Sequence, residues 1–283
     1  MLSSYISSGS FHTTTIEAVF PYGIYTGQSL DKHAPTDKFG NNTGSVYDLG
    51  VDGAFSGYKL LILNQCGDAS YFKAAPQALR EKGFDVEIIY KDNAPSSAQQ
   101  FDRLLSSVNQ VWLISADKSM LSTDQIKCLC HYYNQGMGLA IWGDNDPLYV
   151  DANRILKELL GSGVYLTGND PATQVLSSRK GQTSDSVGFD AGNIMFTGVN
   201  QLYEGVTIAR VMYPSQSGVE LLMTSSHKHP VTCIVDKPGT GKRLLIDGGF
   251  TRLWDSYWKD SAGTSRFVKN TAAWLCGIDS DWV

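Results

Sequence analysis

The sequence predicts an α/β three-layer sandwich: a mainly parallel sheet covered by helices on both faces, with antiparallel hairpins added late in the chain. Three observations carry this expectation. Short apolar runs alternate with amphipathic segments from residue 58 to residue 167, as parallel strands and crossover helices do. Caps and glycines fall at the ends of those segments. Beyond residue 170 short strands follow one another with turns but without helices between them.

Residues 1–55 are rich in Ser, Thr, Gly, Asn and Tyr, with turn clusters such as KFGNNTGS, and read as an extended arm with at most short strands; residues 56–283 read as one domain. YKLLILNQ (58–65) is a buried strand, SYFKAAPQALREKG (70–83) a helix closing on Gly83, and FDVEIIY (84–90) the next strand, which completes a βαβ unit. SSAQQFDRLLSSV follows as a Ser-capped helix, VWLIS as a strand, and STDQIKCLCHYYNQG as a helix capped by Ser122 or Thr123 and ended by Gly136. MGLAIWG is the fourth strand, PLYVDANRILKELLG (147–161) a helix with Pro147 at its first position, and GVYLT the fifth strand. The later strands are VTIARVMY, VELLMT, PVTCIVD and RLLID. The segment AGTSRFVKNTAAWLCG (262–277) is an amphipathic helix that should return to the sheet.

The chain has 283 residues, 42% of them hydrophobic, enough to bury a sizeable core. Its formal charge is −5 and its Lys and Arg are scattered, so a phosphate-backbone footprint is missing and nucleic acid is not an expected partner. No run reaches the roughly 18 apolar residues of a membrane span, and MLSSYISSGSFHTTT lacks the basic start and apolar centre of a secretory signal, so a cytoplasmic chain is expected. The five cysteines are spread out, and Cys128 and Cys130 point to different sides of a helix, so they suggest small buried side chains in a reducing compartment rather than a metal site.

In an open parallel sheet, ligands sit beyond the carboxyl ends of the strands, at the point where strand order reverses. Those ends carry Asn64, Gln65, Cys66 and Asp68; Ser115, Ala116 and Asp117; Asp144, Asn145 and Asp146; and Asp247, Gly248 and Gly249. Asp144 and Asp146, two apart on a strand-end loop, could hold a divalent cation, though Asp146 before Pro147 also reads as a helix cap. Asp144-x-Asp146 resembles the opening of the haloacid dehalogenase phosphatases, where the first Asp attacks phosphate; Leu148 departs from the Thr or Val usual there, and the matching turn in those enzymes follows the first strand. His227 and His229 in SSHKHPV could bind a metal or supply a base, or form a solvated turn. Glu204, beside Gly205, could line the cleft or merely occupy a loop. KPGTGKR misses the phosphate-loop pattern at Asp236 and Arg243 and reads as a hairpin turn. In GGFTRLWDSYWKD, Phe250, Trp254, Tyr257 and Trp258 suit core or lid packing or a stacking platform, and Arg252 and Asp255 suit a surface pair.

The order of elements, the sharp turn LAIWGDND after the fourth strand and the late hairpins resemble the flavodoxin-like class I glutamine amidotransferase-like superfamily. The likeness is to its catalytically silent or uncharacterised relatives, such as trehalose-utilisation-like proteins and the domain shared by gliding-motility and intraflagellar-transport proteins, over roughly residues 56–277. The active members carry a Gly-x-Cys-x-Gly elbow at this turn. Here Asn145 stands in the cysteine's place, where it would tolerate a positive φ but supplies no nucleophile. The family's histidine loop is most similar to LLIDGGF, which offers Asp247 instead.

The resemblance implies a divergent member that lacks the catalytic Cys and His. Its expected role is a non-catalytic domain that binds a small polar ligand, through Asn64, Gln65, Asp144, Asn145, Glu204 and Asp247, or a protein partner. No cofactor is expected, although a divalent metal is compatible with the carboxylates. Two alternatives stand beside this reading. One is a carboxylate or metal-dependent hydrolase using Asp144, His229 and Asp247; the other is a structural subunit that self-associates through residues 1–55.

Overall fold

The computed structural model of this chain describes residues 15–20, 23–28, 35–179, 186–237, 240–258 and 263–277. The strands are β1 (Thr15–Phe20), β2 (Gly23–Gln28), β3 (Lys59–Asn64), β4 (Asp85–Tyr90), β5 (Gln110–Ile114), β6 (Gly138–Trp142), β7 (Tyr165–Pro171), β8 (Val175–Ser177), β9 (Gly188–Phe189), β10 (Gln201–Tyr203), β11 (Thr207–Met212), β12 (Glu220–Thr224), β13 (Pro230–Lys237) and β14 (Lys242–Asp247). The helices are α1 (Ala74–Glu81), α2 (Ala98–Leu105), α3 (Thr123–Asn134), α4 (Val150–Leu160), α5 (Asp255–Trp258) and α6 (Thr264–Leu275).

An eight-stranded sheet in the order β4-β3-β5-β6-β14-β13-β12-β9 forms the middle layer. β4, β3, β5, β6 and β14 run parallel, and β13, β12 and β9 extend the sheet antiparallel. This is the α/β sandwich with late hairpins that the alternation of elements predicts. The side-chain period of two divides each central strand between two cores. Leu60, Ile62, Trp112, Ile114, Ala140, Trp142 and Leu245 face α1 and α6. Leu61, Leu63, Val111, Leu113, Leu139, Ile141, Leu244 and Ile246 face α2, α3 and α4. Strands buried on both faces must be apolar throughout, and β5 and β6 are buried at every position.

The caps anticipated at Ser97 and Ser122 are present. Ser97 accepts from Gln100 N, and Ser122 forms a capping box with Gln125. Three details differ from the sequence reading. The strand begun by GVYLT is β7, which leaves the main sheet and pairs antiparallel with β11; the place beside β6 goes to β14. The β7 burial pattern alternates, whereas β14 is buried from Arg243 to Asp247, so the later strand is the one suited to a site covered on both faces. Pro147 does not open α4, which starts at Val150 after Tyr149, and Asp146 does not cap it: its carboxylate accepts from the Tyr149 hydroxyl at 2.7 Å. Arg252 and Asp255 do not pair on the surface. Arg252 is fully buried against Asp247, while Asp255 accepts from Lys73 N and Ala74 N and so caps α1 from a distant part of the chain.

Within residues 1–55, β1 and β2 form a separate hairpin. The stretch from residue 35 onward is bound to the domain. Asp48 bridges Lys82 Nζ at 2.6 Å and Arg266 Nη1 at 2.6 Å, Leu49 N donates to Asn270 Oδ1, and Leu49 and Phe55 enter the core. Lys82 is fully buried, and it is satisfied by Asp48, Asp52 and the Gly50 carbonyl together.

Candidate functional site

Strand order reverses between β3 and β5. The chain passes from β3 outward to β4, then crosses back to β5 on the other side of β3. The strand ends stay paired, Gln65 N donating to Ile114 O at 3.0 Å, but the connections that leave them run to opposite faces of the sheet, α1 on one and α3 on the other, and this is where a crevice forms in such sheets. Asn64 and Gln65 end β3 there and both are buried. Asn64 Oδ1 accepts from Gly67 N at 2.8 Å, which holds the loop close to the strand, but its Nδ2 has no partner. Gln65 Nε2 donates to Asp151 Oδ2 at 2.9 Å, and its Oε1 has no partner. The remaining Asp151 contacts fix the opposite wall, through Met120 N and Leu121 N on Oδ2 and Arg154 on Oδ1. Asn64, Gln65, Tyr90, Lys91 and Met120 line a small cavity of about 10 Å³, the scale of one water-sized group. A larger cavity of about 520 Å³ lies between residues 37–52 and α6; it surrounds Asp48 and Arg266 and is lined by Trp258, but by none of the strand-end candidates.

The turn GDND lies at the carboxyl end of β6, next to that of β14. Gly143 N donates to Asp247 O, and Phe250 N to Gly143 O, so the two strand ends are stitched together. Asp144 is buried and accepts from Asn145 N at 2.8 Å and Thr251 N at 2.9 Å. Removal from water pushes its carboxyl up to about 7, against the lowering effect of those N–H bonds, and the neighbouring Asp247 charge adds to the rise. Asp247 is likewise buried. It accepts from Thr232 Oγ1 at 2.6 Å, Gly249 N at 2.9 Å and the Arg252 guanidinium. Cys66, half-buried nearby, has its thiol raised to about 11 by burial and then by the charges of Asp144 and Asp117. That thiol is no thiolate nucleophile at neutral pH.

Asn145 does not take up a strained elbow. Among the described residues Lys228 is the one non-glycine with positive φ, at 63°. Asn145 instead accepts from Thr207 Oγ1 at 2.8 Å, and Asp146 N donates to Gly168 O at 2.9 Å. The turn is thus docked on the β7–β11 strand pair. Glu204 is buried, with its oxygens taken by Gln174 N at 3.1 Å, Ser226 N at 2.8 Å and Ser226 Oγ at 2.7 Å.

The residues named from sequence therefore fall into three groups. Asn64 and Gln65 stand at the switch point with unused polar atoms. Asp144 and Asp247 are both buried at adjoining strand ends, each held by its own donors. His229 turns to Asp170, with Nδ1 2.6 Å from Oδ2, and to Arg210, with Nε2 3.5 Å from Nη1. No group of three or more His, Cys, Asp or Glu side chains among the described residues is placed to hold a metal ion. Sequence reasoning missed Asp170 and Arg210. The signal for them is the Gly-Asn-Asp inside β7, since glycine within a strand marks a bulge or a close approach.

No protein-family model matches the chain, and no curated protein sequence matches it. Solved structures do. The mmIFT52 N-terminal domain aligns over 78% of this chain and 98% of its own length, with a TM-score of 0.57 and 12% identity. That likeness is one of fold. More remote are a ThuA-like protein from Bacteroides uniformis ATCC 8492, with a TM-score of 0.47 at 11% identity over 80% of this chain and 94% of that one, and the glutaminase domain of Trypanosoma brucei CTPS with bound acivicin, with a TM-score of 0.37 at 7% identity over 80% and 96%. Among the described residues, no helix is long and apolar enough to cross a membrane.

Proposed function

We propose that this chain is a non-catalytic binding domain that takes a small polar ligand at the switch point between β3 and β5. One observation supports the reading above the others: Asn64 Nδ2 and Gln65 Oε1 are buried without partners, side by side in sequence, where the doubly wound sheet opens. A buried polar atom left unpaired costs about 1–3 kcal/mol, and a fold retains that cost most readily where a ligand supplies the missing bond. One atom is a donor and the other an acceptor, so either is completed by a neutral group of the opposite kind, such as the carbonyl or N–H of a carboxamide or an amino acid.

The carboxylates do not favour a hydrolase. Asp144, Asp247 and Glu204 are closed off by the protein's own donors, and the ring of His229 meets Asp170 and Arg210 rather than Asp144 or Asp247. The test is an amide-resolved NMR screen of neutral carboxamides and amino acids. Binders should perturb residues 64–67 and 90–95, and Asn64→Leu should abolish those perturbations. Binders that map elsewhere, or that survive Asn64→Leu unchanged, would overturn the reading.

A further inference from the structure

Across β14 from the switch point, three side chains from three separate segments meet near the surface: Asp170 of β7, Arg210 of β11, and His229 just before β13. An ionised carboxylate only accepts, so His229 Nδ1 carries the proton it shares with Asp170 Oδ2, and Nε2 is left beside Arg210 Nη1 at 3.5 Å. Arg210 Nη2 stands 3.5 Å from Asp170 Oδ1. Both contacts to the guanidinium are longer than the ordinary bond of about 2.7–3.2 Å. The Arg210 Nε is buried and has no partner. The guanidinium is therefore held in place by its neighbours without being saturated by them.

The backbone is shaped around this arginine. The β7–β11 register shifts between Ile208 and Arg210, and such a bulge re-aims the side chain next to it. Gly168 lies opposite with φ 97°, and a Cβ there would stand 2.9 Å from Arg210 Nε, so any other residue would displace the guanidinium from this position. The Asp146 N bond to Gly168 O and the Thr207 bond to Asn145 brace the same two strands against the sheet. Exposure is divided unevenly. The Arg210 and His229 side chains are 34% and 36% exposed, while Asp170 is 12% exposed. The carboxylate is covered and orients two nitrogen-bearing groups that reach solvent.

We propose that Arg210 and His229 form an oxyanion-binding site for the phosphate or carboxylate group of a small-molecule ligand, with Asp170 as the positioning residue. The planar fork of Arg210 matches two oxygens of such a group, and charge-assisted bonds of this kind are about twice as strong as neutral ones. His229 Nε2 beside it accepts from a protonated ligand oxygen or, as imidazolium, donates to an ionised one. The site shares no residue with the crevice at Asn64 and Gln65, and it stands or falls independently of the ligand proposed there.

The test uses the full chain at constant ionic strength. Inorganic phosphate and, separately, acetate are titrated while the ring C–H resonances of His229 are followed, assigned by their loss in His229→Gln. A saturable shift of His229, with His131 on α3 unmoved, is the expected result with at least one of the two anions. Arg210→Gln should weaken binding by about tenfold or more, and Arg210→Lys, which keeps the charge but loses the fork, should fall between. Asn64→Leu should leave the titration unchanged. The proposal is overturned by a shift that grows linearly and equally with chloride, or by a saturable shift that persists in Arg210→Gln. If Arg210→Gln fails to fold, Arg210→Lys takes its place, and anion binding as tight as in the wild type then overturns the proposal.

Discussion

Asp144 should make this protein less stable as the solution becomes less acidic, and the effect can be isolated with one substitution. Burial raises its carboxyl from 3.8 to about 7, so the folded state holds the proton more tightly than the unfolded chain does. A group shifted in this sense contributes its full stabilisation below pH 3.8 and loses it as pH rises through about 7. A shift of about three units corresponds to about 4 kcal/mol in all, of which about 2.5 kcal/mol falls between about pH 5 and pH 8. Asp144→Asn keeps the shape and an acceptor for one of the two N–H groups from Asn145 and Thr251, but it does not titrate. Urea unfolding of both chains across that interval should therefore show wild type losing about 2.5 kcal/mol relative to the variant as pH rises. Parallel stability curves would mean that the carboxyl is ionised at both ends of the range, held by its two N–H bonds, and the desolvation reasoning would be wrong.

Two further outcomes follow from single contacts. Arg252 and Asp247 are both fully buried, so Arg252→Leu strands a carboxylate and should cost about 3–5 kcal/mol by urea unfolding; a loss under about 1 kcal/mol would show that Asp247 is held by Thr232 and Gly249 alone. Ser122→Ala removes one half of the capping box of α3 and should cost about 0.5–2 kcal/mol, with Ser122→Gly cheaper by most of that amount; equal losses for the two would place the effect outside the cap.

The parts of this fold that are legible in sequence are those written locally. Ser97, Ser122 and Gly136 announce helix ends because capping is decided within one turn, and β5 and β6 announce themselves as covered strands because both faces are apolar. What fails is pairing between distant segments. The choice between Tyr165–Pro171 and Lys242–Asp247 as the neighbour of β6 is made by long-range packing, and the alternating burial of β7 against the continuous burial of β14 is the trace it leaves. The site follows the same division. Asn64 and Gln65 could be named as candidates because the end of a first parallel strand is a general address for ligands. Asp170 and Arg210 come together with His229 only through a bulged pairing of β7 with β11, and Arg252, three residues from Asp255, gives no local sign that it is destined for the core.

The insertion of β14 beside β6 also bears on how the chain assembles as it is made. When residues 138–142 leave the ribosome, one edge of β6 has β5 to pair with, while the other remains an unpaired apolar edge until residues 242–247 follow. Everything from Gly143 to Gly241 must be synthesised and kept from misusing that edge in the meantime. The β6–β14 pairing thus becomes available only after residues 143–241 have been made, a long-range contact of the kind that slows folding and leaves apolar surface exposed in the nascent chain.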